Sequence, residues 1–254
     1  MRKRNRKTVL FQWIMAIIIA ITLPMTASAK VTYEKEQVVY MTSKFHQVPS
    51  QTGVVVNCTK SGEKIRKATV KMSDASVAEV LTLIRSTNKS QMQSFFDSAQ
   101  SGTTSAYGYQ MDILLHKPGK TNLSFKVGKK KHTIELKVKA YTNPIKKLTI
   151  TGVNEGKNIA SKFAYVNQCT DLMVYKKTGK AAISVTANKN WKIESVGFVD
   201  SKSGNAYSYM KNGSPTKSKV KLSVGTLCPG RRYEIGIRLR HKNGGVINCA
   251  VVLQ

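Results

Sequence analysis

Strict alternation of apolar and polar residues constrains the fold of this chain more than any other feature. From Lys131 to Ala140, every second residue is Lys, Thr or Glu, and the residues between them are His132 followed by apolar residues. The same alternation runs from Leu123 to Val127, and Gly128-Lys129-Lys130 separates the two stretches. A period of two places successive side chains on opposite faces of a strand, so the pattern predicts a half-buried antiparallel hairpin.

A second hairpin is predicted at the end of the sequence, where Tyr233–Arg240 and Val246–Leu253 flank a turn at His241–Gly245. Further strands are predicted at residues 53–58, 68–72, 77–83, 109–115, 145–151, 163–167, 182–187, 192–199 and 219–224. Many short strands with almost no helical periodicity are typical of β-sandwiches. We therefore expect an all-β fold of two tandem antiparallel sandwiches.

Asn143-Pro144 marks the predicted boundary between two domains, because this dipeptide disfavours regular structure and a strand-like run follows it. The first domain is predicted at residues 30–143 and the second at 144–254. A polar, Ser-rich stretch near 86–105 is interpreted as an insertion, with a short helix around Gln91–Ala99.

The first 29 residues resemble an export signal. Five cations precede an apolar run from Val9 to Met25, Pro24 interrupts the helix, and Ala27-Ser28-Ala29 offers a cleavage site. We expect a signal-peptide helix that is removed after Ala29, so that the chain is secreted or extracellular. The alternative is an uncleaved anchor, because the run approaches the length of a membrane span. No second apolar stretch of this length follows, so no span is expected in the mature chain.

Two segments resemble known extracellular modules. The run from Ser73 to Val80 (SDASVAEV) resembles a segment of bacterial Ig-like domains of group 2, and Lys117–Phe125 resembles the closing hairpin of that family. Leu227–Tyr233 is similar to the turn that enters strand F of fibronectin type III domains. The second resemblance implies a tyrosine corner, in which the Tyr233 hydroxyl bonds to nearby backbone. Both imply an Ig-like or fibronectin-like sandwich displayed outside the cell, without a particular chemistry.

Residues with catalytic or metal-binding spacing are missing from the sequence. The four His and thirteen acids are dispersed, with no HExxH, CxxC or phosphate-binding glycine motif. We therefore expect a non-enzymatic protein without a metal or another cofactor. A cell-wall-acting enzyme whose site is assembled only by folding remains a less favoured alternative.

Four cysteines, at positions 58, 169, 228 and 249, allow a disulfide in an oxidising compartment. The predicted hairpin places Cys228 too far along the sheet from Cys249, so Cys169 is the predicted partner of either Cys249 or Cys228. The alternative is that all four thiols are reduced and buried.

Positive charge is the strongest signal that is not structural. The chain has 42 Lys and Arg against 13 acids, and removal of the leader still leaves 37 against 13. Such an excess attracts polyanions. The candidate anion-binding residues, which cluster at the two hairpins, are Lys129, Lys130, Lys131, Arg231, Arg232, Arg238 and Arg240. No exposed aromatic residues are expected to be interleaved with these cations, so no dedicated nucleic-acid site is expected.

Together these features predict an exported envelope or cell-surface Ig-like protein of bacterial type. Its expected partner is an anionic cell-wall polymer or glycan, or another surface protein. The alternative is a specific adhesin or carbohydrate-binding accessory module. Its site would use the tyrosines expected in loops, at positions 107, 109, 207 and 209.

Overall fold

The computed structural model describes residues 31–44, 47–58, 63–87, 107–209 and 217–254. The predicted signal peptide lies outside these residues, as do nearly all of the insertion near 86–105 and its short helix. Within the described ranges the chain is all-β, with 3₁₀ turns at Lys67–Thr69, Asn154–Gly156 and Ala160–Phe163 and no α-helix. Residues Val31–Gln254 form one compact unit.

Eight strands of the first half form two four-stranded sheets. They are β1 (Val31–Thr32), β2 (Glu36–Met41), β3 (Gln51–Cys58), β4 (Lys71–Met72), β5 (Ala78–Ser86), β6 (Tyr107–Leu115), β7 (Gly119–Val127) and β8 (Lys130–Ala140). The sheet orders are β1-β3-β6-β5 and β2-β8-β7-β4. Both sheets contribute to one core around Met111, Leu123 and Phe125, all fully buried, so this half is a two-layered sandwich.

Eight strands of the second half form a three-stranded and a five-stranded sheet. They are β9 (Ile145–Ile150), β10 (Gln168–Leu172), β11 (Thr178–Ala187), β12 (Trp191–Asp200), β13 (Ala206–Tyr209), β14 (Lys219–Leu227), β15 (Tyr233–His241) and β16 (Val246–Leu253). The sheet orders are β14-β11-β9 and β10-β16-β15-β12-β13. A second core around Leu148, Phe198 and Tyr233 lies between these sheets.

Both predicted hairpins are confirmed, because β7 pairs with β8 and β15 with β16 in antiparallel register. The expectation of purely antiparallel sheets is wrong at two places, since β2–β8 and β10–β16 are parallel. Alternation fixes which face of a strand is buried but not which strand lies beside it, so these long-range pairs leave no local signal.

Two predicted strands are wrong in position. Residues 68–72 begin in the 3₁₀ turn Lys67–Thr69, and only Lys71–Met72 pair as a strand. Residues 163–167 begin at the last residue of the 3₁₀ turn Ala160–Phe163, and the strand starts at Gln168. Phe163 is buried whereas Tyr165 is 73% exposed, so the apolar spacing does not continue as it would in a half-buried strand.

The predicted boundary at Asn143-Pro144 falls between the two cores, and its status as a domain boundary stays a prediction. Asn143 fixes the start of β9, because its amide donates to the carbonyl of Ala160 at 2.8 Å and its side-chain oxygen accepts the N–H of Ile145 at 2.9 Å. The segment that connects the sandwiches is therefore held by hydrogen bonds to the second one.

Tyr40 of β2 joins the first sandwich to the second. Its ring lies 5.1 Å from the Trp191 ring and 6.1 Å from the His241 ring, measured between centroids. Its hydroxyl donates to the side-chain oxygen of Asn243 at 3.2 Å. Gly245 lies so close that an added Cβ would be 2.7 Å from the Tyr40 ring and 3.0 Å from a Val38 methyl. The junction therefore has no room for a larger residue at this position.

We expect Gly245→Ala to lower the free energy of unfolding by about 1–3 kcal/mol, because a methyl group would push the Val38 and Tyr40 side chains from their places. Gly236→Ala is the matched control, since nothing lies within 4 Å of an added Cβ there. Urea denaturation of both variants checks this. Equal loss of stability in the two variants would contradict the conclusion that the junction has no room for a side chain at Gly245.

Tyr233 makes the backbone contact that the sequence implies for a tyrosine corner. The buried Tyr233 hydroxyl accepts the N–H of Cys228 at 2.8 Å. The Tyr233 ring stacks on Phe198 with centroids 5.4 Å apart. The corner ties the turn after β14 to the first residue of β15.

Tyr233→Phe should lower stability by about 1–3 kcal/mol, because it leaves the Cys228 N–H without its acceptor. Tyr165→Phe removes the same atom from a residue that is 73% exposed and should be neutral. Thermal or urea unfolding measures both. If Tyr233→Phe is as stable as the native protein, the hydrogen bond of the corner contributes nothing to stability.

Candidate anion-binding site

The arginines of β15 face solvent together with an acid from the neighbouring strand. A β-bulge in β12 between Ile193 and Ser195 places Glu194 beside Arg238 and Arg240. The Arg238 Nε donates to one Glu194 oxygen at 2.9 Å, and the Arg240 Nε donates to the other. One carboxylate therefore binds both guanidinium groups.

Further acceptors fix the same two arginines. Arg238 Nη1 lies 3.3 Å from the side-chain oxygen of Asn248, and Arg240 Nη1 donates to the Gly244 carbonyl at 3.0 Å. Burial raises the pKa of Glu34, and the neighbouring Arg240 and Arg238 charges oppose this rise. The two arginines thus share their surroundings with two acids, whereas Lys192 lies directly opposite Arg240 and makes no ion pair among the described residues.

The remaining two candidate arginines are also paired. Arg231 lies 3.3 Å from a carboxylate oxygen of Asp200, and Arg232 Nε lies 3.0 Å from Glu234. Burial opposes the ionisation of Asp200, but hydrogen bonds from Ser203 and Lys202, together with the Arg231 charge, hold its pKa below the ordinary value. Each arginine of the predicted site therefore has an acid of the same chain beside it.

The three candidate lysines lie where the sequence predicts them, at the β7–β8 turn. Gly128 adopts a φ of 59° in this turn, which favours glycine. Lys129, Lys130 and Lys131 are exposed, and Lys131 lies directly opposite Lys126 across the hairpin. Among the described residues, no ion pair connects these lysines to an acid. Like charges directly opposite each other destabilise a strand pair, and a bound anion would relieve that repulsion.

A surface groove of about 410 Å³ runs beside Lys131, the only one of the three candidate lysines in its lining. Its lining includes Lys71, Lys126 and Lys131 together with the Thr69 and Ser124 hydroxyl groups. The Thr69 hydroxyl accepts the N–H of Lys126 at 3.1 Å, which fixes the strand next to the turn. We call this set of residues the hairpin groove.

Lys137, further along β8, shows the opposite arrangement. Its ammonium nitrogen lies 2.6 Å from Glu36 and 3.3 Å from Glu135. The hydrogen bond to Glu36 raises the pKa of Lys137 against the small effect of burial, and Glu135 adds to the rise. Lys137 thus has two acids beside it, whereas the lysines at the turn make no ion pair among the described residues.

None of the four cysteines forms a disulfide in the structure. Cys169 lies opposite Val251 in the β10–β16 pair, so Cys249 is its diagonal neighbour, and both are buried in the second core. Diagonal residues of paired strands are roughly 7–8 Å apart, slightly beyond the separation of disulfide-bonded residues. Burial raises the pKa of both thiols. Cys228 lies in the turn after β14, partly exposed, and the disulfide stays a prediction.

His132 belongs to the first core. Its ring stacks on Phe125 with centroids 5.4 Å apart, and its Nδ1 lies 3.1 Å from the Tyr33 hydroxyl. Its Nε2 is buried without a hydrogen-bond partner. Burial lowers the pKa of His132, and the nearby Lys130 charge lowers it further, against a weaker opposing effect of Glu63. Within the described ranges, no three His, Cys, Asp or Glu side chains are grouped to hold a metal ion.

The tyrosines expected to line a glycan site in loops all lie on strands. Tyr109 is 4% exposed, and Tyr107 and Tyr209 pack against the cores. Tyr207 is 39% exposed and its ring lies 6.0 Å from that of Phe198. The most exposed tyrosine, Tyr175 at 81%, was not among them, because alternation does not indicate exposure in a loop.

Comparison with known proteins gives fold-level matches only. No family model matches the sequence, and no curated protein matches it. Domains 5 and 6 of the S-layer protein SbsC match 88% of this chain and 96% of their own at 13% identity, with a TM-score of 0.29. The Yersinia pseudotuberculosis adhesin InvE matches 89% of this chain and 60% of its own at 10% identity, with a TM-score of 0.24. Cadherin domains 1–4 of protocadherin gamma B7 match 89% of this chain and 51% of their own at 11% identity, with a TM-score of 0.29.

These scores are too low to support an inference about function. The sandwich architecture therefore follows from the strand pairing and the two cores themselves. The part of the chain that the structure describes contains no apolar helix of membrane-spanning length.

His132 should make stability depend on pH. Its pKa is about 6.5 in the unfolded chain and lower in the fold, so the unfolded chain takes up the proton first. Stability should therefore fall as the pH decreases below about 6.5, and the fall should be smaller in His132→Gln. Urea denaturation at pH 7.5 and 5.5 measures this, with His116→Gln as the control. If His132→Gln loses as much stability between pH 7.5 and pH 5.5 as the native protein does, His132 is not the source of the pH dependence.

Proposed function

We propose that this chain is an exported, non-enzymatic Ig-like module of the bacterial envelope that binds an anionic cell-wall polymer. The observation that carries the proposal is the hairpin groove, where the exposed Lys126 and Lys131 face each other and pair with no acid of the described ranges. The basic leader and the Ala27-Ser28-Ala29 site support export. The excess of 37 cations over 13 acids beyond residue 29 supports attraction to a polyanion.

The ion-paired arginines make the hairpin groove the better candidate within the predicted set. An anion that binds Arg238 or Arg240 through Nε would have to displace Glu194, which already accepts that N–H from both arginines. An anion at Lys126 and Lys131 displaces only water and relieves repulsion. Lysine also tolerates many orientations of its partner, which suits a flexible polymer better than a single defined ligand.

The double variant Lys126→Ala/Lys131→Ala should weaken binding to cell walls that carry teichoic acid, measured by sedimentation at 50 mM salt. We expect a loss of about five- to tenfold, because two of the cations that contact the polymer are removed. Binding of the native protein should also fall steeply at 300 mM salt. Walls from which teichoic acid has been extracted are the polymer control.

Lys137→Ala/Lys157→Ala is the matched protein control, because it removes the same charge from two lysines that pair with acids. Equal weakening by the two double variants would mean that net charge, not the hairpin groove, holds the polymer. The proposal fails if the native protein does not sediment with walls even at 50 mM salt.

A further inference from the structure

The acids of the second sandwich are distributed unevenly between its two sheets. Residues 144–254 contain five acids, Glu155, Asp171, Glu194, Asp200 and Glu234. Four lie on strands β10, β12 and β15, which belong to the five-stranded sheet, and Glu155 lies in a 3₁₀ turn where it pairs with Lys157. The three-stranded sheet β14-β11-β9 contains none.

Alternation along these three strands defines one solvent face. Leu148, Val185 and Val220 point into the core, so the residues between them point outward. One row across the sheet consists of Lys147, Thr186 and Lys219, since Thr186 pairs with both lysines. The next row consists of Thr149, Ser184 and Lys221. We call these six residues the lysine face.

The lysine face is cationic and rich in hydroxyl groups. Lys147, Lys219 and Lys221 are exposed, and the three hydroxyl side chains between them are partly exposed. Among the described residues, no ion pair neutralises any of the three lysines. The backbone edge of β9 is covered, because Leu148 donates to the side-chain oxygen of Asn158 and accepts the N–H of Ile159. The available surface is therefore the flat face and not a strand edge.

The spacing of the lysines fits a ligand with repeated charges. Lys219 and Lys221 are two residues apart on one strand, which places them about 7 Å apart, and Lys147 is two strands away from Lys219, at about 10 Å. A single exposed ion pair contributes only about 0–1 kcal/mol, so one small anion would bind weakly here. An extended chain with an anion every few ångströms would contact all three cations and the hydroxyl groups between them.

We propose that the lysine face is a docking surface for an extended phosphodiester polymer of the cell wall. This inference rests on the proposed function and assigns it a second contact area, on a face that the sequence did not single out. The six residues include no aromatic side chain on which a base could stack, so a sugar- or glycerol-phosphate backbone fits better than a nucleic acid.

The test compares two triple variants by binding to lipoteichoic acid with a poly(glycerol phosphate) chain at 50 and 200 mM salt. Lys147→Ala/Lys219→Ala/Lys221→Ala removes the lysine face. Lys176→Ala/Lys177→Ala/Lys202→Ala removes the same charge from exposed lysines elsewhere in the second sandwich. We expect at least tenfold weaker binding for the first variant and less than threefold for the second. A plot of log affinity against log salt should become less steep, by about 2 units of slope, in the first variant alone.

Each other result overturns a defined part of the inference. If the two triple variants bind equally weakly, the long-range electrostatic field of the protein explains the binding and the lysine face is rejected as a site. Full affinity of the lysine-face variant, with loss in the hairpin-groove variant, would retain the proposed function and reject this surface. Tighter binding to single-stranded DNA of equal charge would reject the polymer class. Failure of the native protein to bind the polymer or cell walls at 50 mM salt would reject both proposals.

Discussion

The burial of one face of each sheet against a partner sheet is the constraint on which the surface chemistry depends. Core-facing positions such as Leu136, Val185 and Ile237 are fully buried and apolar, so the charges of a strand have only the opposite face to occupy. In a chain with 42 cations and 13 acids, these faces must carry excess positive charge. The strand order then decides which cations have an acid next to them.

In the second sandwich, the strand order gives Arg238 and Arg240 an acid that the lysines of the other sheet lack. Because β12 lies beside β15, the carboxylate of Glu194 reaches Arg238 and Arg240 together, and the fork of each guanidinium suits such a contact. The sheet β14-β11-β9 has no acid to supply, and no ion pair between residues that the structure describes involves Lys147 or Lys219. The arginines therefore stabilise the fold, whereas the unpaired lysines leave their charge available to an external partner.

The sequence predicts what is local in this structure. The β7–β8 and β15–β16 hairpins and the Tyr233 corner depend on residues close together in the chain, and all three are present. The parallel neighbours of β8 and β16 depend on segments far away in sequence, and alternation says nothing about them. For the same reason, the outward position of Arg238 could be predicted, but its pairing with an acid 44 residues earlier could not.

Rigidity connects the two lysine-rich surfaces to the proposed binding of a polymer. Weak ionic contacts add up only if binding does not have to order the groups that make them. The β7–β8 turn and the lysine face are both held on paired strands of one compact unit, and Tyr40 contacts Trp191 where the two sandwiches meet. In the proposed function, a polymer bound at one surface is thereby held at high effective concentration near the other wherever its length permits. In the proposed function, the junction at Tyr40 aids binding without contacting the polymer, because it limits the entropy that a second contact loses.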